Sequence, residues 1–169
     1  FDGPTTFAAS SDTIHITGGA TSFTTAADSI SFATGNIALK GSNLTIDTGA
    51  GGGNITVGGE IAGVSVETVT IDAGTGTASV GVIGTSTEIG ALVIGSAQNG
   101  AITLNGAIIT DGAVTIDGPV TLATGAVSVT TANDAITFSH SIDGGQTLTL
   151  ASGSAATTLQ GAIGGNTAL

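Results

Sequence analysis

The feature that most constrains this chain is a triplet, apolar–polar–apolar, that recurs from one end to the other. Ile14-His15-Ile16, Ile30-Ser31-Phe32, Leu44-Thr45-Ile46, Ile55-Thr56-Val57, Val64-Ser65-Val66 and Val69-Thr70-Ile71 are examples from the first half. Ile102-Thr103-Leu104, Val114-Thr115-Ile116, Val120-Thr121-Leu122, Ile136-Thr137-Phe138 and Leu148-Thr149-Leu150 continue the series. Period-two alternation puts the flanking aliphatics on one face and the central residue on the other, which is a short strand with one face for a core. Strands this short do not pair stably alone. No segment carries a helical period, and glycine interrupts every window long enough to hold one. The chain is therefore expected to be all-β.

Turn residues separate the triplets. Asn99-Gly100, Asn105-Gly106, Asp111-Gly112, Asp117-Gly118 and Asp143-Gly144 supply tight bends. A hairpin meander would use the same turns, but the longer spacing points elsewhere. Ile136-Thr-Phe-Ser-His-Ser-Ile142 aligns with Thr157-Thr-Leu-Gln-Gly-Ala-Ile163, and Leu148 aligns with Leu169 at the same offset. The same module appears as Ile102 to Ile108 and Ile55 to Ile61, with a degenerate copy from Ala78 to Ile83. Anchored on Val57, Val80, Leu104, Phe138 and Leu159, the steps are similar except for a long one from Leu104 to Phe138, which holds extra strands between Val114 and Val129. Such a period marks a parallel β-solenoid, a right-handed β-helix with coils of about 21–24 residues. Coils stacked about 4.8 Å apart would make a rod roughly 35 Å long. Residues 1–169 read as one solenoid segment, with the clearest repeats at 100–169. The sequence stops inside a repeat, at Gly164-Gly-Asn-Thr-Ala-Leu169. The expectation is that the rod continues in a longer chain or stacks end to end on another copy of itself.

Composition narrows the functions such a rod can serve. With 12 acidic residues and Lys40 as the only base, the net charge is −11. No basic stripe for tracking phosphates can be drawn, so nucleic acid is excluded as a partner. No apolar run reaches the roughly 20 residues of a membrane-spanning helix, so membrane insertion is not expected. The 40 % hydrophobic content is too high for a disordered linker, and it is aliphatic, since only five Phe supply aromatic rings. Cysteine is absent, which removes disulfides and thiol chemistry.

The strings Ile136 to Gly153, Leu159 to Leu169 and Gly35-Asn-Ile-Ala-Leu-Lys-Gly41 resemble the β-strand repeats of giant bacterial surface exoproteins of the filamentous-haemagglutinin and large-adhesin type. That resemblance implies an extracellular or cell-surface location and a β-helical shaft serving adhesion or matrix formation. Its implied partners are the chain itself, glycans and neighbouring cells. It brings no catalytic motif.

The residues themselves offer little chemistry. Polysaccharide lyases need a basic catalyst, and Lys40 alone is available. Hydrolases need two facing carboxylates, whereas Asp28, Asp47, Asp72 and Asp134 sit at triplet ends or turns. No catalytic or cofactor-binding residue is assigned, and the chain is not expected to be an enzyme. Asp111, Asp117 and Asp143 would bind incidental calcium if one corner stacked them on successive coils. His15 and His140 lack the companions of a zinc site. The outward threonines suggest an ice-binding face, but coil steps as uneven as these are too irregular for one. Asn43-Leu-Thr and Asn54-Ile-Thr are glycosylation sequons by pattern. The leading expectation is a structural fibre or adhesin-shaft segment, with a glycan-binding β-helix module as the alternative.

Overall fold

The computed structural model describes residues 2–8, 12–98 and 100–169, so Asn99 of the expected Asn99-Gly100 turn lies outside the described residues. Every element is a short strand. The first coil runs β1 (Thr5–Ala8), β2 (Ile14–Ile16) and β3 (Thr21–Thr24), and the second β4 (Ile30–Thr34), β5 (Ile37–Leu39) and β6 (Leu44–Asp47). The third holds β7 (Ile55–Val57), β8 (Ile61–Ala62) and β9 (Thr68–Asp72), and the fourth β10 (Thr77–Val80) and β11 (Ala91–Gly95). The fifth holds β12 (Ala101–Leu104), β13 (Ile108–Thr110) and β14 (Val114–Asp117). The sixth holds β15 (Val120–Leu122), β16 (Val127–Thr131) and β17 (Ile136–Phe138). The last holds β18 (Ile142–Asp143), β19 (Leu148–Ala151) and β20 (Thr157–Leu159).

All pairings between these strands are parallel, and each strand pairs with its counterpart in the next coil. Sheet A stacks β1-β4-β7-β10-β12-β15-β18, and sheet C stacks β3-β6-β9-β11-β14-β17-β20. Both run unbroken through seven coils. Sheet B is divided into β2-β5-β8 and β13-β16-β19, joined only by bridges from Ile83 to Ile61 and to Ile108. The chain is thus a parallel β-solenoid of three faces, A, B and C in turn.

The core is a set of aliphatic columns. Ile30, Ile55, Ala78, Ile102, Val120 and Ile142 stand in register on sheet A, all at most 2 % exposed. Leu44, Val69, Leu92, Val114 and Ile136 do the same on sheet C. In the triplets that form strands the central residue points out, as the alternation requires. In the first two coils Phe7, Phe23 and Phe32 pack together at the core. Phe7 stacks on Phe32 with centroids 4.6 Å apart, and Phe23 meets both edge-on.

The register corrects the expected coil lengths. Along sheet A the column steps from Ile30 to Ile55, Ala78, Ile102, Val120 and Ile142, and no coil is as long as the expected step from Leu104 to Phe138. The longest of these coils runs from Ile30 to Ile55 and the shortest from Ile102 to Val120. Leu104 pairs with Leu122 on sheet A, whereas Phe138 and Leu159 belong to sheet C. The module Ile-Thr-x-x-x-x-Ile turns the corner from A to B at 55–61 and 102–108 but from C to A at 136–142. Anchoring on it therefore jumped faces.

Corners carry their own hydrogen bonding, because backbone groups that leave a sheet still need partners. Thr48, Thr110, Thr131 and Ser152 are buried and donate their hydroxyls to carbonyls of Gly53, Gly112, Asp134 and Ala155. Between coils, Asn36 Oδ1 accepts from Glu60 N at 3.0 Å and Asn43 Oδ1 from Thr68 N at 2.8 Å. Asn54 Oδ1 accepts from Thr77 N at 3.0 Å. Both asparagines of the sequons thus act as brackets between successive coils.

Candidate functional site

The solenoid departs from its own pattern at the gap in sheet B. The triplet Val64-Ser65-Val66 reads in the sequence as a strand with its valines inside. It is a loop, with Val64 51 % and Val66 71 % exposed. Glu67 is the cause. It takes the interior position at this corner and is fully buried. Its Oε1 accepts from Gly41 N at 3.0 Å, both carboxyl oxygens accept from Val64 N at 2.9 Å, and Oε2 accepts from Val66 N at 3.2 Å. For the amides of Val64 and Val66 to point inward at one carboxyl group, the chain must coil around it. Ser65 consequently adopts φ +69°, a left-handed conformation unfavourable to serine. The side chains of the two valines are left outside.

A second loop rises beside the first. In the fourth coil Ile83 and Ile89 stay in the core and bridge to Ile108 and Thr110, while residues 85–88 are exposed. The two loops are tied together, Gly63 N donating to Thr87 O at 3.1 Å and Ser65 N to Glu88 O at 2.8 Å. Glu60 pins the second loop from the coil beneath, accepting from Thr85 Oγ1 at 2.8 Å and from the N and Oγ of Ser86 at 2.5 Å each. Burial pushes the Glu60 carboxyl up, but the hydrogen bonds from Ser86 and Thr85 together outweigh it and leave it below the ordinary value. Between the loops lies an open groove of 440 Å³ lined by Val64, Ser65, the 84–88 loop and Ile109. Its lining combines the apolar Val64 and Ile109 with the hydroxyl residues Ser65, Thr85, Ser86 and Thr87 and the exposed Glu88.

The calcium candidates are not brought together. Asp117 ends β14 on sheet C, Asp143 lies in β18 on sheet A, and Asp111 follows β13 on sheet B. They occupy three different corners, because the module that carries each Asp-Gly turn is used at every corner. Among the described residues no group of three or more His, Cys, Asp or Glu side chains is placed to hold a metal ion. Asp143 instead accepts from the backbone of Asn166 at 2.7 Å and of Thr167 at 3.3 Å, and the Asn166 bond chiefly holds its carboxyl below the ordinary value.

Other acids also serve the backbone. Asp47 and Asp72 are register neighbours on sheet C, yet each accepts from a nearby glycine N–H in its own turn, Gly49 at 2.6 Å and Gly74 at 2.8 Å. Asp72 accepts also from Ser96 Oγ. Turn capping thus engages both carboxyls. His15 is exposed on β2 in the first coil, and His140 follows β17 in the sixth. His140 Nδ1 is shielded from solvent 3.4 Å from Asp117 Oδ1 but outside hydrogen-bond geometry. The sequence reading missed this pair, and also the two-loop outgrowth. The available signal for the outgrowth was Glu67 itself, which follows Ile61 at the spacing by which Ile89 follows Ile83 and Leu148 follows Ile142.

Outward hydroxyls form a column interrupted once. Ser22, Thr45 and Thr70 stand in register on sheet C below Val93, and Thr115, Thr137 and Thr158 above it, because length variation is confined to the corners. No helix of the described residues is long and apolar enough to cross a membrane. Comparison of the chain with protein-family models, with curated proteins and with solved structures gives no match in any of the three.

Proposed function

We propose that this chain is a shaft segment of an extracellular structural fibre or adhesin, of the kind its repeats resemble in giant bacterial surface exoproteins. The observation that carries the reading is the pair of seven-stranded parallel sheets running the length of the chain. In such a stack the inter-coil hydrogen bonds lie along the rod axis. Stretching the rod therefore loads many bonds in parallel, while the aliphatic columns resist bending. A net charge of −11 keeps such rods apart in solution.

The last rung presents apolar side chains along the axis. Leu159 is 38 % and Ile163 48 % exposed, although their register partners Phe138 and Ile142 are buried. One more coil of the same cross-section, from a longer chain or from a second copy, would cover them. The test is labelling of intact cells from the native source with antibodies raised against this chain, together with the mass of the denatured polypeptide. Surface label on filaments is expected. Label that appears only after permeabilisation would sink the reading, and the mass separates a stacking subunit from a window on a giant chain.

A further inference from the structure

Apart from the terminal rung, the only large aliphatic side chains strongly exposed among the described residues are Val64 and Val66. They lie on face B, the face that also carries the chain's single cation. Lys40 follows β5 in the second coil, is exposed, and forms no ion pair among the described residues. Its neighbour Gly41 donates to the Glu67 carboxyl, which fixes Lys40 beside the valine loop, one coil below it. Glu88 is exposed on the loop one coil above. Along the rod axis the order is therefore cation, valine pair, anion, on the second, third and fourth coils.

That order is self-complementary. A two-fold axis through the valine loop brings Lys40 of one rod to Glu88 of another, and Glu88 of the first to Lys40 of the second. Val64 and Val66 then meet their own copies across the axis, and the hydroxyls of Ser65 and the 85–87 loop form the rim. Elsewhere on the described surface no cation is available to offset the repulsion between two rods of charge −11. We infer that face B is a lateral docking surface for a second copy of this chain, joined antiparallel through the valine loop. The occupant is set by charge complementarity. The contact spans only three coils, so it belongs to the small, weak class of interfaces and gains strength when long rods repeat it. The inference stands apart from the end-to-end continuity proposed above, since it uses neither end of the rod.

The inference also accounts for the cost of the loop. A buried carboxyl group, a left-handed serine and two valines in water each work against stability, and Ser42, in the corner beneath Glu67, is buried with its hydroxyl unpartnered. Pairing recovers part of that cost by taking the valines out of water.

Sedimentation velocity of the chain over a wide concentration range is the test, with circular dichroism to confirm that each variant folds. The wild type is expected to show a fast-exchanging dimer. Lys40→Glu and Val66→Asp, both changes at exposed positions, should each weaken dimerisation at least tenfold. The double exchange Lys40→Glu with Glu88→Lys should restore it to within about threefold, because the pair is exchanged across the same axis. Leu159→Asp, at the terminal rung, should leave the dimer unchanged. A monomer at every concentration would overturn the inference. So would a dimer indifferent to Lys40→Glu and Val66→Asp, or a charge exchange that fails to restore pairing.

Discussion

Replacing Glu67 by alanine removes the acceptor of three backbone N–H groups, those of Gly41, Val64 and Val66. A hydrogen bond of this kind contributes about 1 kcal/mol net, since water competes for the donor once the loop opens. The buried side chain also leaves a small void worth about another 1 kcal/mol. The expected loss is therefore about 3–4 kcal/mol, concentrated in the 63–67 loop and the edge of the second coil. Global unfolding is a blunt probe of a solenoid, in which neighbouring coils open semi-independently. Amide hydrogen exchange read residue by residue is the direct assay. A local loss of about 3 kcal/mol is more than a hundredfold in exchange rate at Gly41, Val64 and Val66, with amides of sheet A in the sixth coil unaffected. Glu67→Gln keeps the shape and one acceptor oxygen but turns an NH2 group toward donors, so it should fall between wild type and alanine. If Glu67→Ala leaves protection of those three amides within about threefold of wild type, the carboxyl group does not organise the loop, and the account of why the valines face outward is wrong.

Glu60 and Asp143 both have carboxyls held below their ordinary values by hydrogen bonds in the folded state. Their contribution is fully present above the unfolded pKa and is lost as pH falls through the folded one. The 85–88 loop and the segment around Asn166 should therefore loosen in acid, below about pH 4, before the core sheets do. Glu60→Gln should abolish the acid dependence of exchange at Ser86 while leaving that at Asn166. Gly59→Ala tests how closely the coils approach at a corner. A Cβ there would overlap Gly35 O and lie 2.7 Å from its carbonyl carbon. The corner must shift, and thermal or denaturant unfolding should report a loss of about 1–3 kcal/mol, against a near-neutral effect for Gly145→Ala, which has open space around it.

The strands were legible because alternation is a property of the strand itself. Ile55-Thr56-Val57 needs only its own three residues to say which side chains go in. The parallel stacking followed from the equal offsets at Ile136/Thr157 and Ile142/Ile163, both of which are true register pairs. The assignment of modules to faces was not legible, because each corner of a three-sided coil asks for the same chemistry. Ile55 to Ile61 and Ile136 to Ile142 have the same form, yet they round different corners. The valine loop was misread for a different reason. Val64-Ser65-Val66 satisfies the strand pattern locally, and the residue that overrules it, Glu67, lies just outside the triplet. Hydrogen bonds to a single buried carboxyl group decided the conformation against the local alternation.

Coil length varies along sheet A, from the long Ile30-to-Ile55 coil to the short Ile102-to-Val120 one, without disturbing the inward column from Ile30 to Ile142. A parallel stack constrains only the strands, so a corner may lengthen provided the added N–H groups find acceptors. The third coil reaches the next with Glu60 serving Ser86, and its loop is held by Glu67, while Asp47 and Asp72 cap the long corners after β6 and β9. The shortest coil turns at Asp117-Gly118-Pro119. There no added amide needs an acceptor, and Asp117 receives no backbone N–H among the described residues; it lies beside His140 instead. Much of the acidic character of the chain is thus tied to tolerance of corner length, and the charge that keeps rods apart is partly a by-product of it. A rod built this way repels its copies by default. Where its lone lysine, its valine loop and a free glutamate line up on one face, that default is locally reversed.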